Sequence, residues 1–178
     1  MDVRGEHLPP LRTMLSSDNI PRQSGGLAKT EMQMATTSEF LGQDHAACDT
    51  LWADVESSAD AGNLAETRAR FAAFERAMQR HFAFEEESLF AALDNATGMH
   101  GVGPTAVMRM EHEQMRRVLH TMAGALASGD TQGLMDHGDT LLMLIQQHNM
   151  KEEHIVYPLA DARLAGEWAA LQAKWPVA

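Results

Sequence analysis

Four histidines stand where the surrounding pattern of this 178-residue chain calls for apolar side chains: His45, His81, His112 and His148. Two of them are followed four residues later by a glutamate, His81 by Glu85 and His148 by Glu152. Residues four apart share one face of a helix. Burying imidazole and carboxylate on an apolar face is costly unless something satisfies them. Two carboxylates inside an apolar bundle also repel each other and stay protonated unless cations lie between them. A pair of metal ions, with each carboxylate bridging both, removes both difficulties. Carboxylate oxygen suits iron and manganese, imidazole suits iron, zinc and copper, and a mixed site therefore favours iron. Bundles that build dimetal sites from facing helices are known.

The same residues form an internal repeat. His45 precedes His81 by 36 residues, and His112 precedes His148 by 36. A shift of 67 superposes the pairs, and it also aligns Gly62 with Gly129 and Leu89-Phe90 with Val156-Tyr157. The chain therefore reads as two copies of one helical hairpin, each carrying His on one helix and His-x3-Glu on the next.

The elements that must hold these groups follow from apolar spacing. A first helix is expected from the capping box Thr36/Glu39, with Leu41, His45, Cys48, Trp52 and Val55 on its inner face. A second, capped by Asn63 with Glu66, carries Phe71, Phe74, Met78, His81 and Glu85. A third starts near Pro104, carries Met108, His112, Met115, Leu119, Met122 and Leu126, and stops at Gly129. A fourth, capped by Asp130, carries Leu134, His137 or Gly138, Leu141, Ile145, His148, Glu152 and Val156, and is expected to end near Pro158. Leu159 to Trp175 forms a last amphipathic piece expected to lie outside the bundle. Residues 1–35 read as an irregular arm, broken by Pro9, Pro10, Pro21 and Gly25-Gly26, and 36–178 as the bundle with its C-terminal helix. The fold class is all-α, an up-down-up-down four-helix bundle.

These motifs carry a resemblance. The chain resembles the hemerythrin-like (HHE cation-binding) domain proteins in His45, in His81 to Phe90, in Glu111-His112, and in His148 to Pro158, over roughly residues 38 to 160. The resemblance implies terminal metal ligation by His45, His81, His112 and His148, bridging by Glu85 and Glu152, and two iron ions, the alternative being other divalent metals, with a bridging oxo or hydroxo group. Oxygen-carrying hemerythrins have a further histidine where Met108 stands, and a His-x4-Asp spacing where His148 is followed by Glu152. With one nitrogen ligand fewer, each metal keeps about four protein donors and an open position, which argues against reversible oxygen carriage and leaves room for water, O2, NO or peroxide.

Other polar residues receive plainer readings. Glu86, Glu153, Asp44 and Glu111 are expected to be solvated, the alternative being contact with a histidine; Asp49 has the same status. His7, His100, His120, His137 and His154 lack the pattern and read as surface or supporting groups. Cys48 reads as a small buried side chain rather than a redox sensor. Most methionines fill the core, with Met78, Met108 and Met115 lining the site.

Composition limits the partners. Fourteen basic and 25 acidic residues leave a net charge of −11, which disfavours nucleic acid or an anionic membrane surface. One cysteine allows no internal disulfide, and no signal-peptide core or 18-residue apolar stretch is present, so the expected location is cytoplasmic. Two functions stay open. One is a protein that binds or senses O2, NO or iron through its His/Glu centre. The other is a di-iron oxidoreductase acting on peroxide, nitric oxide or damaged iron centres, against which stands the want of an evident channel or general acid beyond the ligands. A metal-stabilised bundle that recognises a partner through its arm is a third.

Overall fold

The computed structural model describes residues 35–176; the arm expected over 1–35 falls outside these except for Ala35, as does His7. Among the described residues there is no strand, and the elements are α1 (Thr37–Asp60), α2 (Leu64–Phe84), α3 (Phe90–Thr97), α4 (Gly103–Ser128), α5 (Thr131–Lys151), α6 (Tyr157–Leu164) and α7 (Trp168–Gln172). One-turn π-helical stretches, Glu85–Leu89 and Glu152–Val156, join α2 to α3 and α5 to α6. Four long rods result, packed as two antiparallel hairpins in up-down-up-down order.

The helix starts are set by local chemistry. Thr36 and Glu39 form the expected reciprocal capping box, and the Asn63 and Asp130 side chains accept from the backbone of Glu66 and Gly133. The α4 to α5 connection turns on Gly129, whose φ of 79° suits a residue without Cβ.

Every seam residue expected on the four helices is buried, and in the choice between His137 and Gly138 it is Gly138 that faces inward. The Trp52 indole fills that space, since a Cβ on Gly138 would lie 2.3 Å from its Cζ2. The core falls into two apolar clusters. One contains Cys48, Trp52, Phe74, Met78, Phe82, Met115 and Ile145. The other contains Leu41, Phe84, Leu89, Phe90, Met108, Val156 and Tyr157. On each rod the histidine falls between a residue of one cluster and a residue of the other, so the polar groups form a layer with apolar material on both sides.

Two expectations need correction. The fourth rod does not end near Pro158: helix resumes as α6, directly after the π-helical stretch, with the proline in its first turn. The C-terminal piece is not simply external. Ala160, Leu164, Trp168 and Leu171 are buried in the second cluster, and Asp161 caps α1 by accepting from the Thr37 amide at 2.7 Å. The reason is burial of apolar area, about 1.5–3 kcal/mol for each large side chain. No described helix is long and apolar enough to cross a membrane.

Candidate metal centre

All six residues expected to converge do so. His45 on α1, His81 on α2, His112 on α4 and His148 on α5 are buried, and Glu85 and Glu152 are each 0 % exposed. Each glutamate opens a π-helical stretch, a feature that recurs at functional sites. Ligand-capable atoms fall within 4.8 Å of one another in two sets, Glu85/His112/His148/Glu152 and His45/His81/Glu152.

The outward nitrogen of every ring meets an acid. His45 Nδ1 lies 2.8 Å from Glu153, His81 Nδ1 3.0 Å from Asp44, His112 Nδ1 2.8 Å from Glu86, and His148 Nδ1 3.0 Å from Glu111. Ionised carboxylates only accept, so each Nδ1 carries the proton and donates. This corrects the solvated reading of Asp44, Glu86 and Glu111, which are partly buried, while Glu153 stays exposed and holds His45 as well. Each acid beside a histidine (Asp44, Glu111) reaches across to the histidine of its partner helix, while each acid after an inward glutamate (Glu86, Glu153) holds a histidine of the other hairpin. An α-helical step of about 100° would turn Glu86 and Glu153 away from the centre; both lie within π-helical stretches, whose wider winding moves them from that direction. Three of these acids carry a cation behind them: Arg80 on Asp44, Arg116 on Glu86, Lys151 on Glu111.

With Nδ1 donating outward, a neutral ring points its Nε2 lone pair at the centre. The Nε2 atoms of His112 and His148 are 3.0 Å apart. Glu85 Oε2 lies 3.2 Å from His81 Nε2 and 3.3 Å from His112 Nε2. Glu152 Oε1 lies 3.1 Å from His148 Nε2, and its Oε2 3.3 Å from His45 Nε2. His81 Nε2, Glu85 Oε2 and Glu152 Oε1 are buried and make no aligned hydrogen bond. So many inward acceptors need positive charge, from protons or from metal ions. As protons, burial disfavours charge on His81 and His112, yet the adjoining Glu85 and the Asp44 and Glu86 carboxylates raise both rings above the usual imidazole range. Burial likewise opposes ionised Glu85, but His81 and His112 hold it well below the carboxylate range.

Sequence reasoning missed the role of Tyr157, quoted only as part of a motif. Its hydroxyl lies 2.8 Å from Glu85 Oε1, 2.9 Å from Glu152 Oε2 and 3.1 Å from His45 Nε2. One proton faces three acceptors. Burial and the two carboxylates push its pKa well above the ordinary phenol value. The available signal was the repeat itself, which sets the hydroxyl-bearing Tyr157 against Phe90.

Along residues 36–160 the chain matches the model of the hemerythrin HHE cation binding domain. The chain belongs to the hemerythrin family. No curated protein and no solved structure matches it significantly. Membership accords with the helical bundle and with a buried His/Glu cluster that could hold a cation, as the hemerythrin description requires. The remaining histidines among the described residues do not join the cluster: His100, His120 and His154 are exposed and His137 half-buried. Met78 lines a small void beside His45, His81 and His148; Met108 and Met115 are buried in opposite clusters. Cys48 also lines that void, and burial together with Asp44 pushes its thiol up to about 12, the protonated state of a packing residue.

Proposed function

We propose that this hemerythrin-family chain holds two iron ions and uses them to bind or sense O2, NO or iron. His45, His81, His112 and His148 would be terminal ligands through Nε2, and Glu85 and Glu152 would bridge. The observation that carries this reading is the set of buried inward acceptors with no aligned hydrogen bond on His81, Glu85 and Glu152. The two ligand sets share Glu152, as a bridging carboxylate would, and Glu85 Oε2 stands near rings from both hairpins. Each Nδ1–acid pair fixes ring orientation and raises ligand basicity. Iron bound there would supply open coordination positions and redox capacity; the chain supplies the rigid donors and the apolar shell around them.

A second reading, a di-iron oxidoreductase acting on peroxide, nitric oxide or damaged iron centres, draws support from Tyr157. Its hydroxyl puts a proton against the centre, a group whose apparent want counted against an enzyme.

Metal analysis of the purified protein tests the first reading: about two irons per chain are expected in wild type, and fewer than half that in His81→Ala and His148→Ala. Full metal retention in both variants would sink it. Stopped-flow mixing of the reduced protein with O2, NO and peroxide separates the two readings, since reversible spectra mark a binder and repeated turnover marks an enzyme.

A further inference from the structure

The repeat makes the two flanks of the centre directly comparable, and they differ. On one flank Phe82 stacks on His112 with ring centroids 4.2 Å apart. The Arg116 guanidinium lies over the Phe82 ring at 5.2 Å and binds both oxygens of Glu86 at 2.9 and 3.0 Å. That layer of ring and cation covers His112. The same shift of 67 residues places Asn149, Asp49 and Glu153 where Phe82, Arg116 and Glu86 would be. Glu153 keeps the carboxylate role, on His45 at 2.8 Å. Asn149 and Asp49, however, can supply neither a ring nor a positive charge.

On this second flank a cavity of about 520 Å3 opens between α1 and α5, with Asp49, Glu56 and Glu153 among its lining residues. Behind it lies a small void of about 10 Å3 against His45, His81 and His148. Ile145 and Asn149 line both spaces. The void matches roughly one water-sized molecule, and Cys48, Met78, Phe82 and Ile145 make most of its wall apolar.

We propose that small ligands reach the centre through the α1–α5 cavity, passing Ile145 and Asn149, and that its acidic lining admits uncharged molecules in preference to anions. The inference rests on the dimetal reading above and gives it a substrate class: NO, O2 or hydrogen peroxide rather than azide or superoxide. Three carboxylates around one opening repel an approaching anion over roughly a Debye length, about 8–10 Å, an effect that salt removes. Uncharged ligands feel no such barrier. On the opposite flank Phe82 and Arg116 occupy the corresponding space against His112.

The test uses the full chain loaded with iron, with metal content measured for every variant. Asp49→Arg combined with Asn149→Phe transplants the cover of the closed flank onto the open one. It is expected to slow NO association with the reduced protein about tenfold while metal content is unchanged. Ile145→Ala is expected to speed NO association, and decides the matter should the double variant load poorly. Asp49→Asn with Glu56→Gln is expected to speed azide association with the oxidised protein several-fold at low salt, converging with wild type at high salt, and to leave NO unaffected. Wild-type NO rates in a fully loaded double variant, or in Ile145→Ala, would overturn the route; unchanged azide rates in the neutralised variant would overturn the charge selection. Should loaded wild type bind neither probe, the dimetal reading itself fails and takes this inference with it.

Discussion

The Tyr157 hydroxyl reaches Glu85 across the bundle at 2.8 Å, tying the fourth rod to the second. Its repeat counterpart Phe90 is fully buried and instead packs its ring on His112, with centroids 5.8 Å apart. The centre is therefore two-fold in its inward His and Glu positions and one-sided in its proton supply.

Removing that hydroxyl should separate folding from metal binding. Tyr157→Phe removes the one buried hydroxyl proton that faces Glu85 and Glu152 and is expected to destabilise the metal-free protein by about 1–3 kcal/mol. Thermal melts of metal-free and iron-loaded protein check this. The loss should shrink once cations satisfy the carboxylates, and iron stoichiometry should be preserved. An equal loss in both forms would deny Tyr157 its contact with the centre.

Glu86 touches no other member of the centre than His112, which makes it a test of ligand orientation. Glu86→Gln keeps the shape, weakens the 2.8 Å bond to His112 and removes the carboxylate that Arg116 binds with both of its terminal nitrogens. Metal affinity is expected to drop about 10–100-fold by chelator competition. An unchanged affinity would return Glu86 to the status of a surface acid.

Acid should weaken metal binding and, further down, the fold. Because Glu85 and Asp44 raise His81 well above the usual imidazole range against the effect of burial, its extra proton stabilises the metal-free protein fully below the ordinary value of 6.5. That contribution disappears as pH rises through the raised value. A bound cation must displace this proton, so apparent affinity should increase with pH, roughly tenfold per unit for each proton displaced. Isothermal titration in buffers of different ionisation enthalpy measures that release. The sign reverses for Glu86, which burial would raise but His112 and Arg116 hold at about 2 against an ordinary 4.5. Its contribution is present above 4.5 and is lost as pH falls from there towards about 2. Denaturation of the metal-free protein should therefore steepen over that interval in wild type and less so in Glu86→Gln.

Packing around Trp52 gives a control remote from metal chemistry. A methyl group at 138 would meet the indole at 2.3 Å, and Gly138→Ala is expected to cost about 1–3 kcal/mol through overpacking. Denaturant titration should show the loss, with iron content unaltered.

Much of the centre was readable from spacing. Histidines at helical intervals along apolar seams, repeated after 67 residues, name both the bundle and its six inward polar groups, because a helix face is a periodic property of the chain. The caps at Thr36, Asn63 and Asp130 are just as local, each a side chain bonded to an amide three residues on.

What spacing could not decide was anything that depends on the distance between rods. Asp44, Glu86, Glu111 and Glu153 have the residue types and positions of solvated acids, and only docking of the hairpins brings each against a ring. The π-helical stretches at Glu85 and Glu152 leave no mark in apolar periodicity. Tyr157 differs from Phe90 by one oxygen, and its meaning appears only where two carboxylates from different helices close on it. The chain's periodicity determines which side chains face inward; their partners are set when the rods pack, since a hydrogen bond needs its atoms within about 3 Å and sequence separation carries no such distance.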